Sequence, residues 1–253
     1  MKKYKYFLLE KLIDKVDSHL TELTEDDFND MKAYYCKDFH DSDKPIYKGM
    51  NYRDMPKSIK SHLYFNPITK RKSANTKNYF TLLFDNSPYL GEFPKRSESL
   101  ICTSNYEQAN AYAVHRPHRV IPFDDAKIAI CPRQDIWFSF RETVGDIDNF
   151  NETIHTNYHR MLDKNNMVSN ELNDNDFNIF IEQLEKICEF DDNENFYRFE
   201  TFPKSVDEFF KLLNPYKNGF VIMPYNEYKS LPLEKYPNRE IFTDSKCLLK
   251  ITK

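Results

Sequence analysis

Four glycines, Gly49, Gly91, Gly145 and Gly219, are all that this chain of 253 residues has for positions where a side chain is intolerable. No Gly-rich phosphate loop and no dinucleotide-binding glycine fingerprint can be built from four residues so far apart. A corner that binds phosphate must be made another way.

One stretch offers such a corner. Residues 99–113 read as a short apolar strand that ends in Cys102-Thr103-Ser104, followed by a helix with Ala109 and Ala113 on one face. Asn105 or Ser104 can cap that helix, because a short polar side chain accepts the unpaired N–H groups of a first turn. Thr103 and Ser104 then stand where backbone N–H groups converge, which suits an anionic or polar ligand. The pair also reads simply as a helix cap.

Length allows one large domain or two small ones with a sizeable core. Hydrophobic residues at 40% and charged residues at 30% describe a soluble globular chain. A net charge of -4 argues against a sequence-blind nucleic-acid binder. The five cysteines (Cys36, Cys102, Cys131, Cys188, Cys247) form no CxxC pair, so they read as reduced, mostly buried thiols of a cytoplasmic protein. The start, Met1 to Tyr6, is not a signal peptide, and no run approaches the ~20 apolar residues that span a membrane.

Along the chain, residues 4–38 read as two N-terminal helices. Phe7, Leu8, Leu12, Ile13, Val16 and Leu20 line the first, and Thr24 with Asp27 starts the second. Ile46 and Tyr47 begin a short strand that ends at Gly49. Residues 55–77 read as polar and irregular, and 75–84 as a helix turning Tyr79, Phe80, Leu83 and Phe84 inward. Strands are predicted at 119–122 and 127–131, with the segment 135–140 beside them. Residues 148–216 read as a helical insertion with helices at 149–163, 175–188 and 205–213. Asp174 or Asn175 caps the second, and Ser205 with Glu208 boxes the third. Its acidic run 189–194 reads as a solvated loop. A strand at 219–224 and a hairpin of 240–243 with 247–251 close the chain. Strands at both ends of the core with helices before and between them predict an α+β fold in a single domain, 1–253.

Metal chemistry is not assigned. His155 and His159 stand four apart on a predicted helix, but no HExxH pattern surrounds them. No G-x-S-x-G elbow is present for a serine hydrolase.

Three separated pieces, Tyr47-Lys48-Gly49, Cys102-Thr103-Ser104 with Ala109, and Asn238-Arg239-Glu240-Ile241-Phe242, resemble in order and texture an ADP-ribosyltransferase of the Arg-Ser-Glu class. The segments 71–73, 96–104 and 131–137 are also similar to uncharacterised bacteriophage proteins. The resemblance implies a split β-sandwich, NAD as substrate, and a host protein or nucleic acid as the target, with no membrane partner. Glu240 would stabilise the oxocarbenium-like ribose left when nicotinamide departs. Ser104, or Thr103, would hold the ribose, and the Gly49 backbone the carboxamide. Lys48 stands at the arginine position and meets the diphosphate, with Arg53 or Arg71 to supply a guanidinium. Tyr47 belongs to the first motif, and Tyr112 or Tyr79 would stack on nicotinamide. The chain departs from the class at Lys48, at Asn238, where the class has Glu or Gln, and at Cys102. Lys48 and Asn238 also fit a non-catalytic, phage-type binding or anti-defence protein on the same scaffold; a structural virion component is a third reading.

Overall fold

The structure, a computed structural model, describes residues 20–50, 62–67, 77–168, 171–190 and 202–252. The expected first helix (Phe7 to Val16), Arg53, Arg71 with its neighbours at 72–73, and most of the acidic run 189–194 lie outside these residues. Two compact units are present. One comprises Met1–Arg71, Phe93–Gln134 and Val221–Lys253; the other comprises Lys72–Glu92 and Asp135–Phe220. The expected helical insertion, 148–216, falls inside the second unit, which also takes in residues on either side of it and the segment 72–92.

Among the described residues, the first unit is built on a nine-stranded antiparallel sheet. Its strands are β1 (Leu20–Glu22), β2 (Tyr47–Lys48), β3 (His62–Phe65), β4 (Leu100–Thr103), β5 (His118–Pro122), β6 (Lys127–Ile130), β7 (Val221–Pro224), β8 (Glu240–Thr243) and β9 (Cys247–Ile251). They lie in the order β1-β3-β9-β5-β2-β4-β8-β6-β7. With its helices the chain is a mixed α and β protein, as the strand and helix pattern predicts.

Side chains alternate across a strand, so each strand presents two faces. On one face Leu63 and Phe65, Val120, Cys247 and Leu249 share a buried cluster with Leu100 and Cys102, Ile128 and Ile130, and Ile241. Strands from both ends of the sheet thus bury one common core. On the other face Tyr64, Ile121 and Leu248 pack against Phe28 and Met31 of α1 (Glu25–Tyr35). That helix starts as expected: Thr24 Oγ1 accepts from the Asp27 N–H at 3.1 Å and donates to the Asp27 carboxylate at 2.6 Å.

Several expectations are corrected by long-range pairing. Leu20 is in a strand and not a helix, because β1 pairs with β3, Leu20 opposite Phe65. Within 55–77, His62–Phe65 is a fully buried strand held between β1 and β9. The segments 240–243 and 247–251 do not form a hairpin. Both edges of β8 are taken by β4 and β6, and both edges of β9 by β3 and β5. The segment 135–140, expected beside the strands at 119–122 and 127–131, is helical and falls in the second unit. Asp135 accepts from the Trp137 N–H at 2.8 Å and caps α4 (Ile136–Ser139), whose first residue belongs to the second unit's core.

The second unit contains α2 (Tyr79–Asp85), α4, α5 (Ile147–Lys164), α6 (Phe177–Glu189) and α7 (Val206–Leu212). Its core is aromatic. Phe140 stacks on Phe220 with centroids 5.0 Å apart and meets Phe84 edge-on at 5.9 Å; Phe150 meets Phe209 edge-on at 5.8 Å. Asp176, rather than Asp174 or Asn175, caps α6, accepting from Asn178 and Ile179 at 3.0 and 3.2 Å. Ser205 caps α7 through the Glu208 N–H, while the Glu208 carboxylate reaches back to the Lys204 N–H at 2.7 Å.

Candidate functional site

Strand register brings the three sequence pieces together. Tyr47 on β2 is the direct partner of Thr103 on β4, and Thr103 is the direct partner of Glu240 on β8. Directly opposed residues of antiparallel strands project to the same face. Ile46, Cys102 and Ile241 enter the shared core. Tyr47, Thr103 and Glu240 therefore form a row across three adjacent strands on the face away from that core. α3 (Tyr106–Tyr112) starts immediately beyond the row.

Glu240 is 7% exposed, and its partner is Arg96. The Arg96 Nη1 donates to Glu240 Oε1 with both side chains largely buried. Arg96 opens a 3-10 turn, Arg96–Glu98, just before β4. The turn is tied by the Ser99 hydroxyl, which donates to the Lys95 carbonyl at 2.6 Å. Sequence reasoning did not assign this arginine a role. The one signal was indirect: a glutamate opening a buried apolar strand requires a cation. Which cation answers it depends on the fold.

The corner itself is fully engaged. The Thr103 hydroxyl donates to Gln108 Oε1 at 2.7 Å and accepts from the Asn105 N–H at 3.1 Å. Asn105, not Ser104, caps α3 by accepting from the Gln108 N–H at 3.0 Å. The Ser104 hydroxyl donates to the Tyr236 carbonyl at 3.0 Å and accepts from the Arg239 N–H at 2.9 Å. A hydroxyl has one proton and two lone pairs, so Ser104 keeps a single acceptor site for a ligand. Asn238, in the left-handed region at φ 51°, accepts from the Asn105 amide through its side chain.

The loop that carries Tyr236 and Asn238 is anchored by Lys44. This lysine is 3% exposed, and its ammonium donates to the carbonyls of Pro232 (2.7 Å), Leu233 (2.8 Å) and Lys235. All three of its protons are used. Burial pushes its pKa down.

Gly49 has a packing role. A Cβ there would lie 2.1 Å from the Ala109 carbonyl oxygen and 3.0 Å from the Tyr112 Cβ, so the space freed by the glycine is filled by α3. Tyr47 meets Tyr106 edge-on at 5.4 Å, and Tyr112 is 66% exposed. Lys48 is half-buried and opposite His118 in the β2–β5 pairing. Tyr79 is not available for stacking on a ligand: it is 1% exposed in the second unit, with its ring stacked on Phe180 at 5.2 Å. Arg71 lies outside the described residues.

Burial raises the thiol pKa of Cys36 and Cys247 well above the ordinary range and that of Cys188 to about 12, so these thiols are poor nucleophiles. Among the described residues no group of three or more His, Cys, Asp or Glu could hold a metal ion. None of the described helices is long and apolar enough to cross a membrane. Comparison of the chain with protein-family models, curated proteins and solved structures gives no match.

Proposed function

We propose that the chain is an NAD-dependent ADP-ribosyltransferase of the Arg-Ser-Glu class that modifies a host macromolecule in the cytoplasm, with its sheet acting as the split sandwich of that class. One observation carries this reading. Tyr47, Thr103 and Glu240, from three distant segments that each resemble a motif of the class, are successive cross-strand neighbours.

In this reading the C1′–N bond of NAD breaks and nicotinamide leaves with the bonding pair. The Glu240 carboxylate stabilises the positive charge that develops on the ribose, and a nucleophile of the target then closes on C1′. Arg96, rather than Lys48, supplies the guanidinium. It holds Glu240 in place at rest, and its fork of donors suits diphosphate oxygens once NAD binds. The remaining lone pair of Ser104 accepts from a ribose hydroxyl. Tyr112 offers an exposed ring for nicotinamide.

A second reading is a non-catalytic, phage-type binding or anti-defence protein on this scaffold. It is favoured by the closure of Glu240 under Arg96 and by the engagement of Asn238 with Asn105. Incubation with labelled NAD and host lysate separates the two. Labelled product from the wild type and none from Glu240→Gln supports the transferase. Absence of label and of NAD turnover, with one stoichiometric partner recovered equally by both proteins, supports the binding protein.

A further inference from the structure

The second unit holds a histidine pair that the reaction at Glu240 does not use. His155 and His159 stand one turn apart on α5, with their Nε2 atoms 3.0 Å apart. Their ring centroids are 4.4 Å apart and the planes cross at 79°. In a head-on N–H···N bond both ring axes follow the N···N line, which holds the centroids about 5 Å apart. Here the centroids are nearer than that, yet farther apart than the nitrogens. The pair is therefore bent away from a head-on bond, and both Nε2 atoms lie within reach of one point beside the line that joins them.

That point has the geometry of a coordination site. With bonds of about 2.1 Å, a right-angle bite sets two imidazole nitrogens about 3.0 Å apart, whereas a tetrahedral ion sets them about 3.4 Å apart. The separation matches adjacent positions of a square-planar or octahedral ion. Tetragonal nitrogen and oxygen coordination is the preference of Cu2+ and Ni2+.

A second observation comes from one turn earlier on α5. Asn151 is 4% exposed, and neither its Oδ1 nor its Nδ2 has a hydrogen-bond partner. His155 Nδ1 is also buried without one. A histidine that binds a metal through Nε2 carries its proton on Nδ1 and needs an acceptor there, and that acceptor fixes the tautomer. Helical side chains lean toward the N-terminus, which carries the His155 ring back over the turn of Asn151. Rotation of the Asn151 amide toward the ring would satisfy a buried donor and a buried acceptor together.

We propose that His155 and His159 form a two-nitrogen site for a divalent cation of the Cu2+ or Ni2+ class, with Asn151 as the positioning residue on His155 Nδ1 and water completing the coordination. The charges that act on His155 are mixed: Glu171 favours a cation and Lys77 opposes it.

Calorimetric titration of the full chain with Ni2+ alone, and separately with Cu2+ alone, tests the site. One ion per chain is expected to bind at this pair, with affinity at least tenfold lower in His155→Asn and in His159→Asn. Asn151→Ala weakens it about tenfold. Zn2+ is expected to bind more weakly than Ni2+. The electron paramagnetic resonance spectrum of wild-type protein with one equivalent of Cu2+ needs no variant, and it is expected to show splitting from two imidazole nitrogens. Unchanged affinity and stoichiometry in the double variant His155→Asn/His159→Asn overturns the proposal. So does a wild-type Cu2+ spectrum without two coupled nitrogens, and so does tighter binding of Zn2+ than of Ni2+.

Discussion

Arg96 Nη1 donates to Glu240 Oε1 across a sequence separation of 144 residues, with 11% and 9% of the two side chains exposed. Removing one partner of such a pair strands a buried charge, which costs more than the pair itself contributes. Arg96→Ala is expected to lower unfolding stability by about 3–5 kcal/mol. The double variant Arg96→Met/Glu240→Leu, which removes both charges, is expected to lose much less. Urea midpoints of the three proteins measure this. Equal losses in the single and double variants would show that packing, not charge, dominates there.

Gly49→Ala places a methyl group against a backbone oxygen of α3 that no rotamer change can move. The expected cost is at least about 2 kcal/mol, since a tightly packed contact must open along its backbone. Denaturant titration reads the loss. Gly145→Ala serves as a contrast, because nothing lies within 4 Å of its added methyl and only its φ of +71° is strained.

Lys44→Met keeps the aliphatic stem but leaves the carbonyls of Pro232, Leu233 and Lys235 without their shared donor. Pro232, Leu233 and Lys235 are exposed and the Pro232 carbonyl keeps the Lys235 N–H, so each lost bond costs about 0.5–1.5 kcal/mol at most. Global stability is expected to fall by about 1–2 kcal/mol. Amide exchange in the 232–239 loop is expected to quicken beyond the global effect, because Lys44 anchors that loop directly.

His62 has its pKa lowered by burial and by Lys250, its cross-strand partner, against a weaker opposite pull from Glu25. Its folded pKa therefore lies below the unfolded value of about 6.5. Below that pH the unfolded chain binds the extra proton and the folded chain resists it. The stabilisation is complete above about pH 6.5 and is lost as pH falls through the depressed value. The wild type is expected to lose stability by no more than about 1.4 kcal/mol per pH unit from this group. The difference between wild type and His62→Gln is expected to shrink as pH falls from 7 to 5. Urea midpoints at a series of pH values test the sign.

Much of the local structure was legible. Thr24, Ser205 and the 99–113 stretch announced helix starts by their cap chemistry, and the predicted helices at 149–163, 175–188 and 205–213 match α5, α6 and α7 within two residues at each end. The strands at 119–122 and 127–131 were readable from β-branched apolar runs. Tyr47, Thr103 and Glu240 could be singled out one by one, and their motif order suggested a shared site. Arg96 could not be chosen from among the many cations of the chain.

Sequence alone determined what each short segment can do, because caps, turns and apolar periodicity act within a few residues. Tertiary structure decided which segments meet. Leu20 joined a strand because β3 offered it an edge, and Tyr64 was buried because β9 and α1 closed on its strand. Cys247–Ile251 turned away from Glu240–Thr243 because both edges of each strand were already paired. The same pairing set Thr103 beside Glu240, and the fold brought the Arg96 guanidinium onto that carboxylate. Hydrogen-bond register and the solvation of a buried charge are long-range terms, and no window of sequence contains both partners.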